Sequence, residues 1–131
     1  MKILHLTLKK KWYDMILSGE KKEEYREAKP YWLTRLLHIP HNYTHVKFRN
    51  GYRKESPWMI VEIRYFGRSI GKPEWGGGGS KQWIMIGLGD IVATSEMVET
   101  FVKDVYEAKN YLSEPIANNQ PSDRDGHCYE L

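Results

Sequence analysis

The first residues of the chain alternate between apolar and polar side chains. The apolar positions fall on every second residue, at Leu4, Leu6 and Leu8. A period of two is typical of a β-strand with one buried face. From residue 9 to residue 18 the apolar positions recur four apart, which predicts a helix, and Gly19 suits the left-handed conformation at which such helices end. We therefore expect a strand followed by a short helix.

A second short helix and a second strand are predicted next. Pro30 suits the first turn of a helix whose apolar side extends to Leu37. Residues 44–49 alternate again, which predicts another strand with one buried face. Asn50 and Gly51 follow, and because both residues tolerate positive φ, the pair predicts a hairpin turn.

Two longer segments complete the predicted sheet. Residues 57–70 and 82–94 are rich in β-branched and aromatic residues, so each is expected to form a strand, with Gly67 as the candidate for a β-bulge. Residues 71–80, between them, are rich in glycine and include Trp75. We expect this segment to be an irregular and mobile loop.

The end of the chain has a different character. Apolar residues after Ser95 recur at helical spacing and predict a helix over residues 96–112. Residues 113–131 are polar and have no periodicity, so we expect them to be disordered or to lie along the domain. Because the chain is too short for two ordinary domains, the sequence predicts one α+β domain over residues 1–95, with the C-terminal helix packed on it.

Composition narrows the functional classes only slightly. The 131 residues include 20 Lys and Arg against 17 Asp and Glu, a formal charge of +3. That charge allows a nucleic-acid partner but is too small for a protein that coats DNA. The five tryptophans and nine tyrosines are more informative, because such rings serve either in a core or as platforms on which bases stack.

The sequence also indicates a cellular setting. Cys128 is the single cysteine, which excludes an intrachain disulfide and a zinc site built from several cysteines. We expect no disulfide-linked partner and no cofactor, and the oligomeric state is left open. The N-terminal apolar run is too short for a signal peptide, and no segment approaches bilayer length. The expectation is a soluble cytoplasmic protein without a membrane partner.

The densest group of charged residues is Gly19–Arg26, with the sequence Gly-Glu-Lys-Lys-Glu-Glu-Tyr-Arg. In a regular strand Glu24 and Arg26 share one face and can form an ion pair, whereas Lys21 lies on the opposite face. A site that unites the three therefore needs a turn or bulge near Lys21, for which Gly19 is suited. The alternative interpretation is a solvated edge strand whose charges prevent aggregation.

The spacing within this segment resembles the signature of the ASCH domain family, a branch of the PUA-like β-barrels. That signature is a glycine, any residue, a lysine, two variable residues, a glutamate, an apolar residue and an arginine. The chain matches it at Gly19, Lys21, Glu24, Tyr25 and Arg26. Further landmarks are resembled by residues 12–18, residues 48–52 and Trp75–Gly76, so that the likeness extends over about residues 3–94.

The resemblance implies a small PUA-like β-barrel with two short N-terminal helices around it and a C-terminal helix. It also implies a cleft that binds RNA or modified nucleosides. Some members of the family are hydrolases. One subgroup shares the lysine and removes acyl groups from a modified cytidine, and another is associated with RNA cleavage. The deacylating subgroup has threonine where this chain has Glu24, so its specific activity does not carry over directly.

The first functional hypothesis is a module that binds RNA or a nucleoside. In this hypothesis Trp75 closes over the ligand and stacks on a base. The cleft is lined by charged and aromatic residues from the signature segment and from one later turn. These residues are Lys21, Lys22, Glu24, Tyr25, Arg26 and Tyr52.

The second hypothesis is a hydrolase, either an amidohydrolase acting on an N-acylated nucleoside or a ribonuclease. Lys21 would act as base or nucleophile if burial or neighbouring positive charge lowered its pKa. Glu24 would transfer a proton, and Arg26 would orient Glu24 or hold a phosphate or oxyanion. A third hypothesis is a small phage or bacterial regulator that binds protein partners through the C-terminal helix and tail.

Other conspicuous residues have simpler interpretations. Three histidines are spaced three and four apart, at His38, His41 and His45. Pro40 interrupts any helix that would align them, so solvated or turn histidines are favoured over a metal site. The three lysines at residues 9–11 are interpreted as a solvated helix start. Trp58 and Trp83 lie in predicted strands and are assigned to the core.

Overall fold

The computed structural model describes residues 1–38 and 42–113. In chain order its elements are β1 (Ile3–Leu8), α1 (Lys10–Leu17), β2 (Glu23–Glu27), α2 (Pro30–Trp32) continuing into a π-helical turn (Leu33–Leu37), β3 (His45–Asn50), β4 (Trp58–Ser69), a 3-10 turn (Pro73–Trp75), β5 (Trp83–Thr94) and α3 (Ser95–Ser113). The predicted strands and helices are confirmed as elements, and β2 occupies the charged segment.

The five strands form one curled sheet, a half-barrel, in the order β1-β3-β4-β5-β2. β1 and β3 run parallel, whereas the other neighbouring pairs are antiparallel. β1 and β2 are therefore the two edge strands, although they are the first two in the chain. This arrangement confirms the α+β class and a barrel-like sheet.

The core fills the inner face of the half-barrel. The alternating leucines of β1 pair in register with β3, so that Leu4 lies opposite Val46 and Leu6 opposite Phe48. All four are buried, and α1 adds a further buried side chain, Ile16. Burying an aliphatic or aromatic side chain of this size contributes about 1.5 to 3 kcal/mol, so this alternation is enough to fix which face of β1 points inward.

The chain divides into two compact units, of which the first is Met1–Ser95 and the second begins at Glu96. The second unit contains the predicted C-terminal helix, observed as α3. Its packing on the first unit stays a prediction. Among the helices of the described residues, no helix is both long and apolar enough to span a bilayer. The predicted tail beyond residue 113 lies outside the described residues, as do Pro40, His41 and Cys128.

One prediction of a β-bulge and two predictions about loops were wrong. Gly67 is not a bulge: it pairs in register with Met85, and the irregularities of β4 fall between Ile60 and Tyr65. The connection after β3 is not a tight Asn-Gly turn but a loop over residues 51–57. A hydrogen bond from the amide of Asn50 to the carbonyl of Pro57 closes this loop. The glycine-rich segment is not wholly irregular, since residues 73–75 form a 3-10 turn.

Candidate functional site

A cleft of about 710 Å³ opens where the two edge strands of the sheet approach one another. Its walls come from the end of β1, the start of α1, β2, α2 and the loop after β3. The lining residues are Thr7, Leu8, Lys9, Lys10, Trp12, Glu24, Tyr25, Arg26, Glu27, Lys29, Trp32, Asn50, Gly51, Tyr52 and Trp83. The cleft is thus rich in tryptophan and in cationic side chains.

A turn places Lys21 beside Glu24. Gly19 ends α1 with φ at +89°, and the amide of Lys21 then donates to the carbonyl of Met15 at 2.9 Å. β2 begins only at Glu23, so Lys21 precedes the regular strand. The alternation of side chains between the two faces of β2 therefore does not determine where Lys21 points. The turn that the sequence required near Lys21 is present.

The Lys21 side chain is almost wholly buried, with 1% of its surface exposed. Its Nζ lies 3.3 Å from Oε1 of Glu24 and donates to the main-chain carbonyl of Trp75. The rings of Trp12 and Tyr25 lie 5.0 and 4.9 Å from the same nitrogen, within the range of cation–π attraction. Burial lowers the pKa of Lys21, and the carboxylate of Glu24 opposes that shift.

Glu24 and Arg26 share one face of β2, as strand alternation predicts. Nη2 of Arg26 lies 3.0 Å from Oε2 of Glu24 and donates to the carbonyl of Thr7 in β1 at 3.1 Å. The guanidinium also lies 5.1 Å from the ring of Trp32. Arg26 therefore connects the two edge strands and holds the carboxylate at the surface of the cleft.

The opposite face of β2 carries a second polar network. The hydroxyl of Tyr25 donates to Oε1 of Glu23 at 2.7 Å, and the hydroxyl of Tyr65 donates to Oε2 of the same carboxylate at 2.8 Å. The amide of Lys72, in the glycine-rich loop, donates to the Tyr25 hydroxyl at 3.1 Å. Burial, followed by the hydrogen bond to Glu23, raises the pKa of Tyr25.

Several predicted site residues line the cleft directly. They are Glu24, Tyr25, Arg26 and Tyr52. Lys21 lies behind Glu24 and contributes to a separate cavity of about 200 Å³. Lys22 lines that second cavity as well, and its side chain is exposed.

Trp75 meets this group through its backbone. Its carbonyl accepts from Lys21, while the Lys72 ammonium lies 4.3 Å from its ring. Of the residues that the structure describes, Trp75 is not among those lining the cleft. Its position ties the glycine-rich loop to the buried lysine.

Three tryptophans of the cleft were not predicted as site residues. Trp12 and Trp32 lie in segments that were predicted only as helices, and Trp83 was assigned to the core. Trp83 pairs with Glu27 across β2 and β5, and its Nε1 donates to the carbonyl of Gly78 at 2.9 Å. The register of β2 against β5 would have identified Trp83, but a single sequence does not contain that register.

The site combines aromatic surfaces with a hydrogen-bonded charge cluster, so it can stack a planar ring and recognise its polar edge. The exposed lysines of the cleft, Lys9, Lys10 and Lys29, can contact an anion. Within residues 1–38 and 42–113, no three histidine, cysteine, aspartate or glutamate side chains converge to hold a metal ion. His45 instead shares a hydrogen bond with the hydroxyl of Thr44 at 2.8 Å.

No protein-family model, curated protein or solved structure matches the chain.

Proposed function

We propose that the cleft binds single-stranded RNA or a nucleoside, holding a base against its aromatic walls. The observation that carries this proposal is the grouping of Trp12, Trp32 and Trp83 around the Glu24–Arg26 pair. Stacking of a base on an aromatic ring contributes about 1 to 3 kcal/mol and tolerates any base. The proposal thus explains why so many large rings lie at a cleft rather than in the core.

The charged residues suit the remaining parts of a nucleotide. Glu24 can accept a hydrogen bond from an exocyclic amine or an imino group of a base, and Arg26 can donate to a carbonyl or phosphate oxygen. Lys9 and Lys29 are exposed at the rim, where a phosphate would lie. The mixture of acceptor and donors favours a nucleotide over a purely anionic ligand.

The enclosure of Lys21 supports binding rather than hydrolysis as the principal role. Its amine contacts a carboxylate, a carbonyl and two rings, and its side chain is nearly inaccessible. A nucleophile must instead reach the reacting atom at about 3 Å. Lys21 acts in this proposal by holding Glu24 and the Trp75 loop.

The test is fluorescence anisotropy with a labelled single-stranded RNA of about ten nucleotides, a length within the range of known single-strand sites. Arg26→Ala is expected to weaken binding about tenfold or more, because it removes a charged donor from the cleft. Arg68→Ala is the matched control, since Arg68 is exposed on β4 outside the cleft. Equal affinities of the two variants for RNA and for free nucleosides would refute the site.

One observation favours hydrolysis as a second function. Burial lowers the pKa of Lys21, and the amine lies within 3.3 Å of Glu24, which borders the cleft. In such a reaction water adds to an acyl carbon, the carbon–nitrogen bond breaks, and the departing amine takes the proton released by water.

This second function is tested by incubating the protein with an N-acylated cytidine and, separately, with single-stranded RNA. Turnover that disappears in Lys21→Ala and in Glu24→Gln would support it. Turnover that persists in Lys21→Ala would exclude the assigned mechanism, and retained RNA binding without turnover would leave binding as the function.

A further inference from the structure

A row of three residues crosses three neighbouring strands beside the cleft. Glu23 of β2 pairs with Gly87 of β5, and Gly87 pairs in turn with Tyr65 of β4. The Tyr65 side chain extends across Gly87, so that its hydroxyl reaches Oε2 of Glu23 at 2.8 Å. Tyr65 thus contacts β2 although a whole strand lies between them.

Gly87 makes this crossing possible. A Cβ atom at this position would come within 2.2 Å of the Tyr65 ring, which is closer than non-bonded atoms approach. Its φ lies outside the left-handed region, so the requirement for glycine is one of space and not of backbone conformation. Gly87 thus leaves the space that the Tyr65 ring occupies.

Tyr25 connects this row to the cleft, because it is hydrogen-bonded to Glu23 and also lines the cleft. The hydroxyl of Tyr25 donates a hydrogen bond to Glu23, and its oxygen accepts one from the amide of Lys72 at 3.1 Å. A Cβ at Gly71 would lie 3.3 Å from the Tyr25 ring, so the loop and the ring are in close contact. The network therefore reaches the glycine-rich loop, in which the carbonyl of Trp75 also accepts a hydrogen bond from Lys21.

We propose that Glu23 and Tyr65 are positioning residues of the cleft. With both oxygens of its carboxylate occupied by tyrosine hydroxyls, Glu23 has one available orientation, and this orientation fixes the hydroxyl of Tyr25. The fixed hydroxyl accepts the hydrogen bond from the amide of Lys72 and so restrains the glycine-rich loop. It also keeps the Tyr25 ring in the wall of the cleft. Tyr65 itself does not touch the ligand. The effect on ligand affinity rests on the proposed function, whereas the effect on the loop does not.

The experiment compares Tyr65→Phe with Tyr106→Phe, which removes the same hydroxyl from an exposed tyrosine of the second unit. Amide hydrogen exchange at Lys72 reports the fastening of the loop, and anisotropy with the labelled RNA reports the cleft. In Tyr65→Phe we expect exchange at Lys72 to be about threefold to tenfold faster and RNA binding to weaken by a similar factor, the range that one hydrogen bond provides. Tyr106→Phe is expected to change neither.

Gly87→Ala provides a second route to the same change, because its methyl group displaces the Tyr65 ring without altering any hydroxyl. Glu23→Gln retains the shape of Glu23 and one acceptor oxygen, so it is expected to give a smaller effect than Glu23→Ala. If Glu23 and Tyr65 had a purely structural role, all variants would have a lower thermal midpoint, but the exchange rate at Lys72 would not be higher in Glu23→Ala than in Glu23→Gln.

Exchange at Lys72 that is unchanged in both Tyr65→Phe and Gly87→Ala would overturn the proposal. Faster exchange with unchanged RNA affinity, in a protein whose binding is sensitive to Arg26→Ala, would overturn the claim that the row acts on the cleft. If Arg26→Ala has no effect on RNA binding, the proposed function fails, and the exchange data still decide whether Glu23 and Tyr65 fasten the loop.

Discussion

Nζ of Lys21 lies 3.3 Å from Oε1 of Glu24, and both side chains are buried. The other carboxylate oxygen pairs with Arg26, so one carboxylate is shared by two cations. Such an arrangement is stable only while its partners remain together, because an ion left alone in a buried position has lost its hydration without compensation. Lys21 is therefore a structural member of the site as well as a candidate for chemistry.

We predict that Lys21→Met destabilises the protein by about 3 kcal/mol, the lower end of the range for breaking a buried pair, because Arg26 still faces Glu24. The free energy of unfolding in urea measures the effect. Lys10→Met is the control, since the Lys10–Asp14 pair is exposed and is expected to contribute less than about 1 kcal/mol. Equal losses in the two variants would contradict the structural role assigned to Lys21.

Trp32→Ala is predicted to weaken binding of the single-stranded RNA by about 1 to 3 kcal/mol, the contribution of one base stacked on an aromatic ring. Trp58→Ala removes an equal ring outside the cleft, where it contacts Lys47 at 4.4 Å, and is expected to leave affinity unchanged. Anisotropy titrations, with thermal midpoints recorded alongside, distinguish lost stacking from lost folding. A larger effect in Trp58→Ala would place the ligand elsewhere.

The rim lysines predict a dependence on salt. Lys29→Gln is expected to reduce the slope of log affinity against log salt concentration by about 0.7, because each phosphate contact with a single strand releases that fraction of a counterion. Lys47→Gln, outside the cleft, is expected to retain the slope. Titrations of the RNA at several salt concentrations give both slopes, and an unchanged slope in Lys29→Gln would exclude a phosphate contact at this position.

The tyrosine network predicts a loss of stability in alkali. Burial and the Glu23 carboxylate raise the pKa of Tyr25 above its ordinary value of 10.0. The unfolded chain therefore releases this proton first, so the contribution to stability is complete below about pH 10 and is lost as pH rises toward the higher pKa of the folded state.

Urea unfolding from about pH 8 to about pH 11 measures this loss, since the range spans the ordinary tyrosine pKa. Tyr25→Phe is expected to lose less stability than the unmodified protein over that range, because it lacks the hydroxyl. Tyr13 and Tyr65 also have raised pKa values and remain in both proteins, so the comparison isolates Tyr25. Parallel curves would show that Tyr25 does not contribute.

The sequence predicted the elements better than their spatial relationships. Alternation identified β1, and the motif from Gly19 to Arg26 located residues that do meet, because a turn and a strand are local features. Trp83 was misassigned because its place depends on the pairing of β2 with β5. Register is set by packing over long sequence distances and leaves little mark on a single strand.

Glycines show the same limit. Gly67 and Gly87 look alike in sequence, yet Gly87 is the one that admits a tyrosine across the sheet, and Gly67 lies in a regular pair with Met85. The need for glycine at position 87 comes from its partner Tyr65 on the neighbouring strand. A prediction from local conformational preference considers each glycine separately and cannot contain that partner.

The hydrogen bond from Arg26 to the carbonyl of Thr7 joins the two edge strands of the half-barrel through a side chain. Separating two strands of a closed barrel breaks several main-chain hydrogen bonds together, which is slow and costly. Here β1 and β2 are joined by a side chain with rotatable bonds, so a change of the Arg26 rotamer breaks this contact without breaking a hydrogen bond of the sheet. Under the proposed function, a ligand that attracts the guanidinium of Arg26 would compete with the carbonyl of Thr7 for this donor.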